Sequence, residues 1–308
     1  SIFGQINTQT DPNLATSAAS GANISLTSLS KYTSGYDPEK AWKGFVVADD
    51  VKPNGSIVPN PGWGGKTTAD KLDEATFSVG SRLVLSWSNK IDANGKQKGG
   101  VPFQWASDES NLSTAQKLWL QKNIGGTDQG ATMGQNRLDF IRGERGMEGS
   151  DAGGYPPTKP FRARFSRQGD SVNSVVWFTG KPVSNYALKG YAKFTRDYET
   201  RTPMIYLGAN DGMLHGFSAA DGTEKIAYVP KGVIPSLSQL TDPGYNNSHK
   251  FFVDGSPMTG DVDMGAGVQD PDDPNYNPAY TPGWRTVLVG TLGRGGKGYF
   301  VLDVTNPN

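Results

Sequence analysis

The sequence predicts a mainly β protein made of short strands and tight turns, preceded by a mixed α/β region. Three features support this fold class. Forty of the 308 residues are glycine, about twice the usual share, and only 35% are hydrophobic, as in loop-rich β proteins. After residue 160, short β-branched and aromatic segments alternate with turn residues. One strand–turn–strand pattern also recurs at an offset of about 82 residues, which indicates repeated β units.

The first part of the chain divides into a lead-in and a mixed region. Residues 1–35 are rich in Ser, Thr, Asn and Ala and predict a weakly ordered lead-in. In residues 36–160, the aromatic and β-branched residues between Tyr36 and Val47 predict a strand. Ser81–Ser88 alternates apolar and polar residues and predicts another strand, followed by a short one at Val101–Trp105. The apolar face of the Ser81–Ser88 strand would comprise Leu83, Leu85 and Trp87.

Helical spacing of apolar residues predicts three helices in this mixed region. The first covers Thr68–Phe77, and the second covers Ser113–Asn123 with Asn111 or Ser113 as its N-cap. The third covers Gln135–Ile141 and is followed by Gly143, a natural helix stop. The buried side of the second helix would comprise Ala115, Leu118 and Trp119.

The glycine- and proline-rich stretch at 146–160 marks a boundary or surface loop, and the pattern after it is all-β. We expect residues 36–160 to pack on this all-β part, residues 161–308. The strands predicted there are Phe161–Phe165, Ser174–Phe178, Met204–Leu207, Met213–Phe217, Lys225–Val229, Lys250–Val253, Thr286–Val289 and Gly298–Val304.

The internal repeat relates two strand–turn–strand units. Ile205–Gly208 and Leu214–Phe217 match the later segments Val287–Gly290 and Gly298–Val301, and an acidic turn follows each unit. A four-stranded propeller blade takes about 40–50 residues, so the offset fits one blade with an insertion, or two blades of which one is degenerate. The polar stretch Gly265–Gly283 is the insertion. Two copies are too few to close a ring, so we expect the first blades of a β-propeller, truncated at its C-terminus.

Composition excludes several classes of function. Thirty Lys and Arg balance thirty Asp and Glu, which argues against a nucleic-acid partner because such proteins carry a basic surface. With no cysteine, the chain has no disulfides, thiolate zinc sites or cysteine nucleophile, and two histidines cannot form a His-rich metal site. No apolar run is long enough for a transmembrane helix. The chain begins at Ser1 without a signal peptide, and we expect it to be a mature or excised piece of a longer protein, so a missing signal does not indicate the cytoplasm.

Two histidines and one polar turn are candidate functional residues. Asn210-Asp211-Gly212 could bind a ligand at a blade tip, but these residue types favour a hairpin turn because they tolerate positive φ. His215 lies in a predicted strand, and the sequence has no Gly-x-Ser-x-Gly nucleophile elbow, so we interpret it as structural. His249 is interpreted in the same way. No catalytic residues are assigned.

Several acidic residues and one glycine-rich loop are candidate binding sites. Asp261-x-Asp263, with Asp254, offers fewer oxygens than calcium requires, and the nearby Asp270, Asp272 and Asp273 are separated by prolines. We therefore assign no metal site in this chain. Gly293–Gly298 resembles a phosphate-binding loop, but it lies between two predicted strands, whereas such a loop is followed by a helix. A hairpin connection is the preferred interpretation.

Several later motifs resemble one known family. The run Arg201–Phe217, the segment Ala227–Pro230, the run His249–Pro257 and the stretch Trp284–Thr305 are similar to the PilC/PilY family of type IV pilus tip-associated adhesins. Phe161–Ser174 and Leu138–Glu144 also resemble the region where the propeller of that family begins. The close resemblance covers about residues 135–308, and residues 1–134 fit more loosely.

The resemblance implies an exported, non-enzymatic protein with a modified, quinoprotein-like β-propeller. It implies location at the pilus tip or cell surface and roles in pilus biogenesis, host or surface adhesion and twitching motility. The implied partners are minor pilins, the pilus tip and a host-cell or abiotic surface receptor. Members often carry a calcium loop in a later blade, which is not found in this chain. Some carry Arg-Gly-Asp, where this sequence has Arg142-Gly143-Glu144, whose longer side chain displaces the carboxylate and argues against integrin binding.

Two rival functions remain open from the sequence. One is a quinone-dependent propeller dehydrogenase, since Ala219–Glu224 loosely resembles a turn of those blades, although their repeated Trp pattern and vicinal cysteines are missing. The other is a periplasmic assembly scaffold that never reaches the surface. The polar Gly265–Gly283 insertion is the predicted contact loop, whose deletion would preserve folding and reduce attachment.

Overall fold

The structure is a computed structural model, and it describes residues 29–265, 272–275 and 277–307. Over these residues the protein is mainly β, with three sheets and few helices, as predicted. The strands are β1 Leu29–Asp37, β2 Lys43–Val51, β3 Ile57–Pro59, β4 Val84–Ile91, β5 Gln97–Pro102, β6 Trp177–Thr179, β7 Met204–Gly208, β8 Leu214–Ser218, β9 Glu224–Val229, β10 Met258–Asp263, β11 Trp284–Thr291 and β12 Tyr299–Asp303. The α-helices are α1 Thr68–Leu72, α2 Thr114–Gln121, α3 Gly130–Arg142 and α4 Tyr191–Asp197. The predicted lead-in, residues 1–35, lies mostly outside the described residues.

The central sheet has six strands in the order β5-β4-β9-β8-β7-β6. Every residue of β7 and β8 is buried, so both faces of these strands are covered. All neighbouring pairs are antiparallel except β4 and β9, which run parallel with Val84 opposite Ala227. Strands from both sides of residue 160 therefore share one sheet. The division of the chain into three parts remains a prediction.

A three-stranded sheet of β1, β2 and β3 covers one face of the central sheet. Burial alternates strictly along β2, so one row of side chains, including Val46, points inward. Trp63 follows this sheet and is buried in the same cluster, where its indole Nε1 donates to the carbonyl oxygen of Ala219 at 3.0 Å. This aromatic anchor, packed with Phe217 of β8, fixes the first sheet on the second.

The third sheet, β10-β11-β12, contains the second copy of the predicted repeat. Both copies form antiparallel hairpins, β7–β8 and β11–β12. Leu288 and Phe300 of the later hairpin are buried in the same hydrophobic cluster as Tyr228 of β9. Trp177 Nε1 of β6 donates to Thr259 Oγ1 of β10 at 2.8 Å, which links the edges of the two sheets. The strands predicted at Lys225–Val229, Thr286–Val289 and Gly298–Val304 are confirmed, with shifted ends.

The helix ends follow capping chemistry that is visible in the sequence. Ser113 is the N-cap of α2, and Gln116 completes a capping box with it. Gly143 terminates α3 with φ of 114°, a backbone conformation that favours glycine. Both predictions are confirmed, although α3 begins at Gly130, earlier than predicted, and α1 ends at Leu72, before the predicted Phe77.

The predicted buried faces of β4 and α2 are wrong. In β4, Val84, Ser86 and Ser88 point inward, whereas Trp87 and the preceding Leu83 are exposed and Leu85 is only partly buried. The serines can be buried because the strand has a partner on each side and Ser86 Oγ donates to the carbonyl oxygen of Val229 at 2.8 Å. The buried side of α2 comprises Gln116, Lys117 and Leu120, whereas Leu118 and Trp119 are exposed.

Hydrogen bonds also explain why the polar face of α2 is the buried one. Lys117 Nζ donates to the carbonyl oxygens of Ala106 at 3.0 Å and Asp108 at 2.7 Å, and Gln116 Nε2 donates to that of Trp87 at 2.9 Å. A polar helix face is tolerated inside when its groups are satisfied in this way.

Phe161–Phe165 and Lys250–Val253, both predicted as strands, form none. The amide of Phe252 donates to the side chain of Asn210, and that of Val253 to the carbonyl oxygen of Ala209. In Phe161–Phe165, the amide of Phe161 likewise donates to Met147 and that of Arg162 to Thr241. Both segments therefore bond to separate loops and lack the single continuous partner that a strand requires.

Candidate functional site

A buried row of four ionisable side chains joins the central sheet to the loops beside it. Arg82 precedes β4, His215 lies in β8, Glu224 begins β9 and Asp211 lies in the β7–β8 turn. Arg82 Nε contacts Glu224 Oε2 at 2.6 Å, Glu224 Oε1 contacts His215 Nδ1 at 2.7 Å, and His215 Nε2 contacts Asp211 Oδ2 at 3.0 Å. The backbone amide of Gly169 donates to Asp211 at 2.8 Å. We call these four side chains the Arg82–Asp211 row.

Both ring nitrogens of His215 face carboxylates, which determines its charge. Ionised carboxylates only accept hydrogen bonds, so each nitrogen must carry a proton and the ring is an imidazolium. Burial opposes this charge, but Asp211 and Glu224 outweigh it and raise the pKa of His215 to about 9. Burial would raise the pKa of Glu224, yet Arg82 and His215 lower it to about 2. Two cations therefore balance two anions inside the fold.

This row is arranged to hold the fold together. His215 is completely buried, so a substrate has no access to its nitrogens, and both are already bonded to carboxylates. Asn210 and Asp211 form the β7–β8 turn, as predicted, but their side chains point inward. A ligand site at this turn, the less favoured interpretation of the sequence, would need exposed side-chain oxygens, whereas Asn210 and Asp211 are buried.

The row predicts a characteristic pH dependence of stability. Folded His215 binds its proton up to about pH 9, whereas the unfolded residue loses it near 6.5, so the free energy of unfolding should fall by about 3 kcal/mol between these values. On the acid side, stability is lost as the pH falls from 4.5 towards 2, because unfolded Glu224 takes up a proton first. Urea unfolding at a series of pH values measures this dependence. In His215→Gln, the free energy of unfolding should change little between pH 6.5 and 9. An unfolding free energy of the wild-type protein constant between pH 6.5 and 9 would contradict a charged His215.

The other histidine, His249, takes part in a second polar cluster. Its Nε2 contacts Asp170 Oδ1 at 2.9 Å, and Asp170 Oδ2 accepts from Asn210 Nδ2 at 2.7 Å. The ring of Trp42 stacks on His249 with centroids 3.8 Å apart, and Trp42 Nε1 donates to the carbonyl oxygen of Asn246 at 3.1 Å. The cluster ties the start of β2 to the loop before β10.

The acidic residues considered for a metal point to separate partners. Asp254 accepts from the backbone and side chain of Asn173, Asp261 from Tyr191 and Thr286, and Asp263 from two glycine amides. Within the described part of the chain, no group of three or more His, Asp or Glu side chains could hold a metal ion. Residues 266–271, which include Asp270, and residue 276 of the Gly265–Gly283 insertion lie outside the described residues.

Two further motifs are built into the fold. Gly293–Gly298 connects β11 to β12, so its interpretation as a hairpin connection is confirmed. Arg142 is buried, and its guanidinium donates to the carbonyl oxygens of Phe103 at 3.0 Å and Val79 at 2.7 Å. Because this arginine supports the loops beneath it, Arg142-Gly143-Glu144 cannot present its cation and its carboxylate together to a receptor.

A groove that sequence analysis missed lies between the central sheet and the third sheet. Its volume is about 390 Å³. It is lined by Trp87, Tyr228, Pro230, Lys231, Gly232, Leu292, Lys297, Gly298, Tyr299, Phe300 and Val301. We call it the Trp87–Tyr299 groove. Sequence patterns do not indicate this groove because they predict Trp87 in the core, whereas the structure places it on the exposed face of β4.

Comparison with known proteins identifies the family of the larger part of the all-β region. Residues 168–308 match the family model described as the PilY1 beta-propeller domain. Residues 168–308 belong to the PilY1 β-propeller family. The resemblance inferred from the sequence motifs is thereby confirmed, and so is the expected propeller fold class.

Curated relatives extend the similarity over most of the chain. The chain is 32% identical over 287 residues to the type IV pilus biogenesis factor PilY1 of Pseudomonas aeruginosa strain PAK, which covers 90% of this chain and 21% of the relative. It is 37% identical over 253 residues to a PilY1 homolog of Xylella fastidiosa, covering 80% of this chain and 18% of that protein. The chain thus spans about one fifth of the length of these relatives.

One solved structure also matches. The crystal structure of the Pseudomonas aeruginosa PilY1 C-terminal domain shares 36% sequence identity with a TM-score of 0.28, over 42% of this chain and 23% of that one. No helix in the described residues is long and apolar enough to cross a membrane.

Proposed function

We propose that this chain is the propeller-bearing part of a type IV pilus biogenesis factor that acts at the pilus tip. The observation that supports this most strongly is the family match of residues 168–308 together with 30–37% identity to proteins named as pilus biogenesis factors. In this proposal the protein is exported, works with minor pilins, and promotes attachment to host or abiotic surfaces and twitching motility.

The internal contacts suit such a presenting role. The Arg82–Asp211 row and the Trp42–His249 stack hold loops rigidly against the sheets, so surface residues are displayed in a fixed geometry. The relatives are named as pilus factors rather than enzymes, which favours this function over a quinone-dependent dehydrogenase. Calcium in a longer form of the protein remains a proposal that rests on the family resemblance.

Deletion of the gene combined with immunogold microscopy tests the proposed function. We expect cells that lack the gene to lose surface pili and twitching, and the wild-type gene to restore both. Antibody against residues 161–308 should place gold at filament ends of complemented cells. Normal pili in the deletion strain, with gold confined to the envelope, would overturn the proposal and favour the periplasmic scaffold.

A further inference from the structure

The Trp87–Tyr299 groove contains a fixed aromatic platform. Trp87 Nε1 donates to Gln97 Oε1 at 2.9 Å, which sets the orientation of the indole. A Cβ atom placed on Gly99 would lie 3.5, 3.7 and 3.8 Å from three consecutive ring atoms, so the Gly99 backbone lies against one face of the ring and not at its edge. The side chain is still 38% exposed, which leaves the other face open.

A second exposed aromatic residue and a buried aromatic pair also line the groove. Tyr299 lies on the edge strand β12 and is 77% exposed. The pair is formed by Tyr228 and Phe300, which are buried and pack with ring centroids 5.1 Å apart. Exposed aromatic rings in an apolar groove cost free energy in water, so a ligand that covers them is favoured.

The charge of the groove is positive. Lys231 and Lys297 line it, and none of the described residues that line it is acidic. Lys231 Nζ contacts Gln97 Oε1 at 3.3 Å, so this cation stands next to the residue that orients the Trp87 ring. A ligand that stacks on Trp87 would therefore bring an anionic group within reach of Lys231.

We propose that the Trp87–Tyr299 groove binds an acidic saccharide, a chain of sugar rings that carry carboxylates. The weakly positive C–H face of a sugar ring complements the negative face of an indole or phenol ring. The indole N–H of Trp87 is already bonded to Gln97, so the residue offers its open face, which suits a stacked ring better than the hydrogen bonds of a peptide backbone. The two lysines supply charge complementarity for the carboxylates.

This inference names a receptor class for the adhesive part of the proposed function, and for its biological role it rests on that function. Binding by the purified chain, however, is independent of pilus assembly. A chain that binds the saccharide while the deletion strain keeps normal pili would separate the two proposals.

Titration calorimetry with oligogalacturonate of four residues, and with neutral cellotetraose of the same length, tests the inference. We expect the acidic oligosaccharide to bind more tightly, and added NaCl to weaken its binding because the charge contribution is screened. Trp87→Ala and Tyr299→Ala should each weaken binding about tenfold or more. Replacing both Lys231 and Lys297 by Met should abolish the preference for the acidic chain.

A matched control is available on another surface. Trp119 is 44% exposed on α2, Lys122 Nζ lies 5.0 Å from the centre of its ring, and neither residue lines the Trp87–Tyr299 groove. Trp119→Ala should leave binding unchanged. Tyr299 is so exposed that its replacement should not disturb folding, which thermal unfolding of the variant checks. Equal affinity for both oligosaccharides, unchanged binding by Tyr299→Ala, or preference for a tetraglutamate peptide would overturn the proposal.

Discussion

Replacing Glu224 by Gln is expected to lower the free energy of unfolding by about 3–5 kcal/mol. Glu224 is buried between two cations, with Arg82 Nε at 2.6 Å on one side and His215 Nδ1 at 2.7 Å on the other. The amide keeps the size of the carboxylate but removes its charge. Arg82 and His215 then remain inside with only Asp211 to balance them, and an uncompensated buried cation has a large desolvation cost.

Urea unfolding at pH 6 measures this loss, and an exposed ion pair provides the control. Lys193 Nζ lies 2.5 Å from Asp197 Oδ2, but these side chains are 71% and 47% exposed. Asp197→Asn should therefore change stability by less than about 1 kcal/mol, although it removes the same charge. If Glu224→Gln proves no more harmful than Asp197→Asn, the Arg82–Asp211 row does not stabilise the fold as described.

The same row shows why only part of the fold can be predicted from the sequence. The strands and turns around His215 follow from local signals, namely β-branched and aromatic residues flanked by Asn, Asp and Gly. The ionic partners of His215 do not follow from such local signals. Arg82 lies in the mixed region, and only the pairing of β4 with β9 brings it to Glu224, which binds the histidine. No local pattern encodes that parallel pairing, so the sequence indicates a structural histidine but does not indicate which residues pair with it.

Inverted faces in β4 and α2 have a common physical origin. Alternation and helical spacing indicate which side chains share a face, but they do not indicate which face is buried. The predicted buried faces rest on hydrophobicity alone. In both elements the buried polar face is satisfied by hydrogen bonds, from Ser86 to Val229 and from Gln116 to Trp87. Such long-range bonds cannot be inferred from one segment. The exposed residues that result, Trp87 above all, are the ones that build the proposed saccharide groove.

The two copies of the repeat form the same kind of hairpin, but different contacts fix the two connections. The β7–β8 turn is fixed by the inward side chains of Asn210 and Asp211. The β11–β12 connection instead packs its backbone directly against the segment at Phe252. A Cβ atom on Gly295 would lie 1.8 Å from the carbonyl oxygen of Phe252 and 2.6 Å from its Cα atom.

Gly295→Ala is therefore expected to destabilise the protein by about 3 kcal/mol or more, because backbone atoms must move to admit the methyl group. Neither backbone segment can move alone, because the amide of Asp254 donates to the carbonyl oxygen of Leu292 at 3.2 Å. Gly260 in β10 is the matched control, because a Cβ atom there would meet nothing within 4 Å. Gly260→Ala should leave the urea midpoint nearly unchanged. Equal midpoints for the two variants would show that the loop can relax, and would refute the close backbone contact as the reason for glycine at 295.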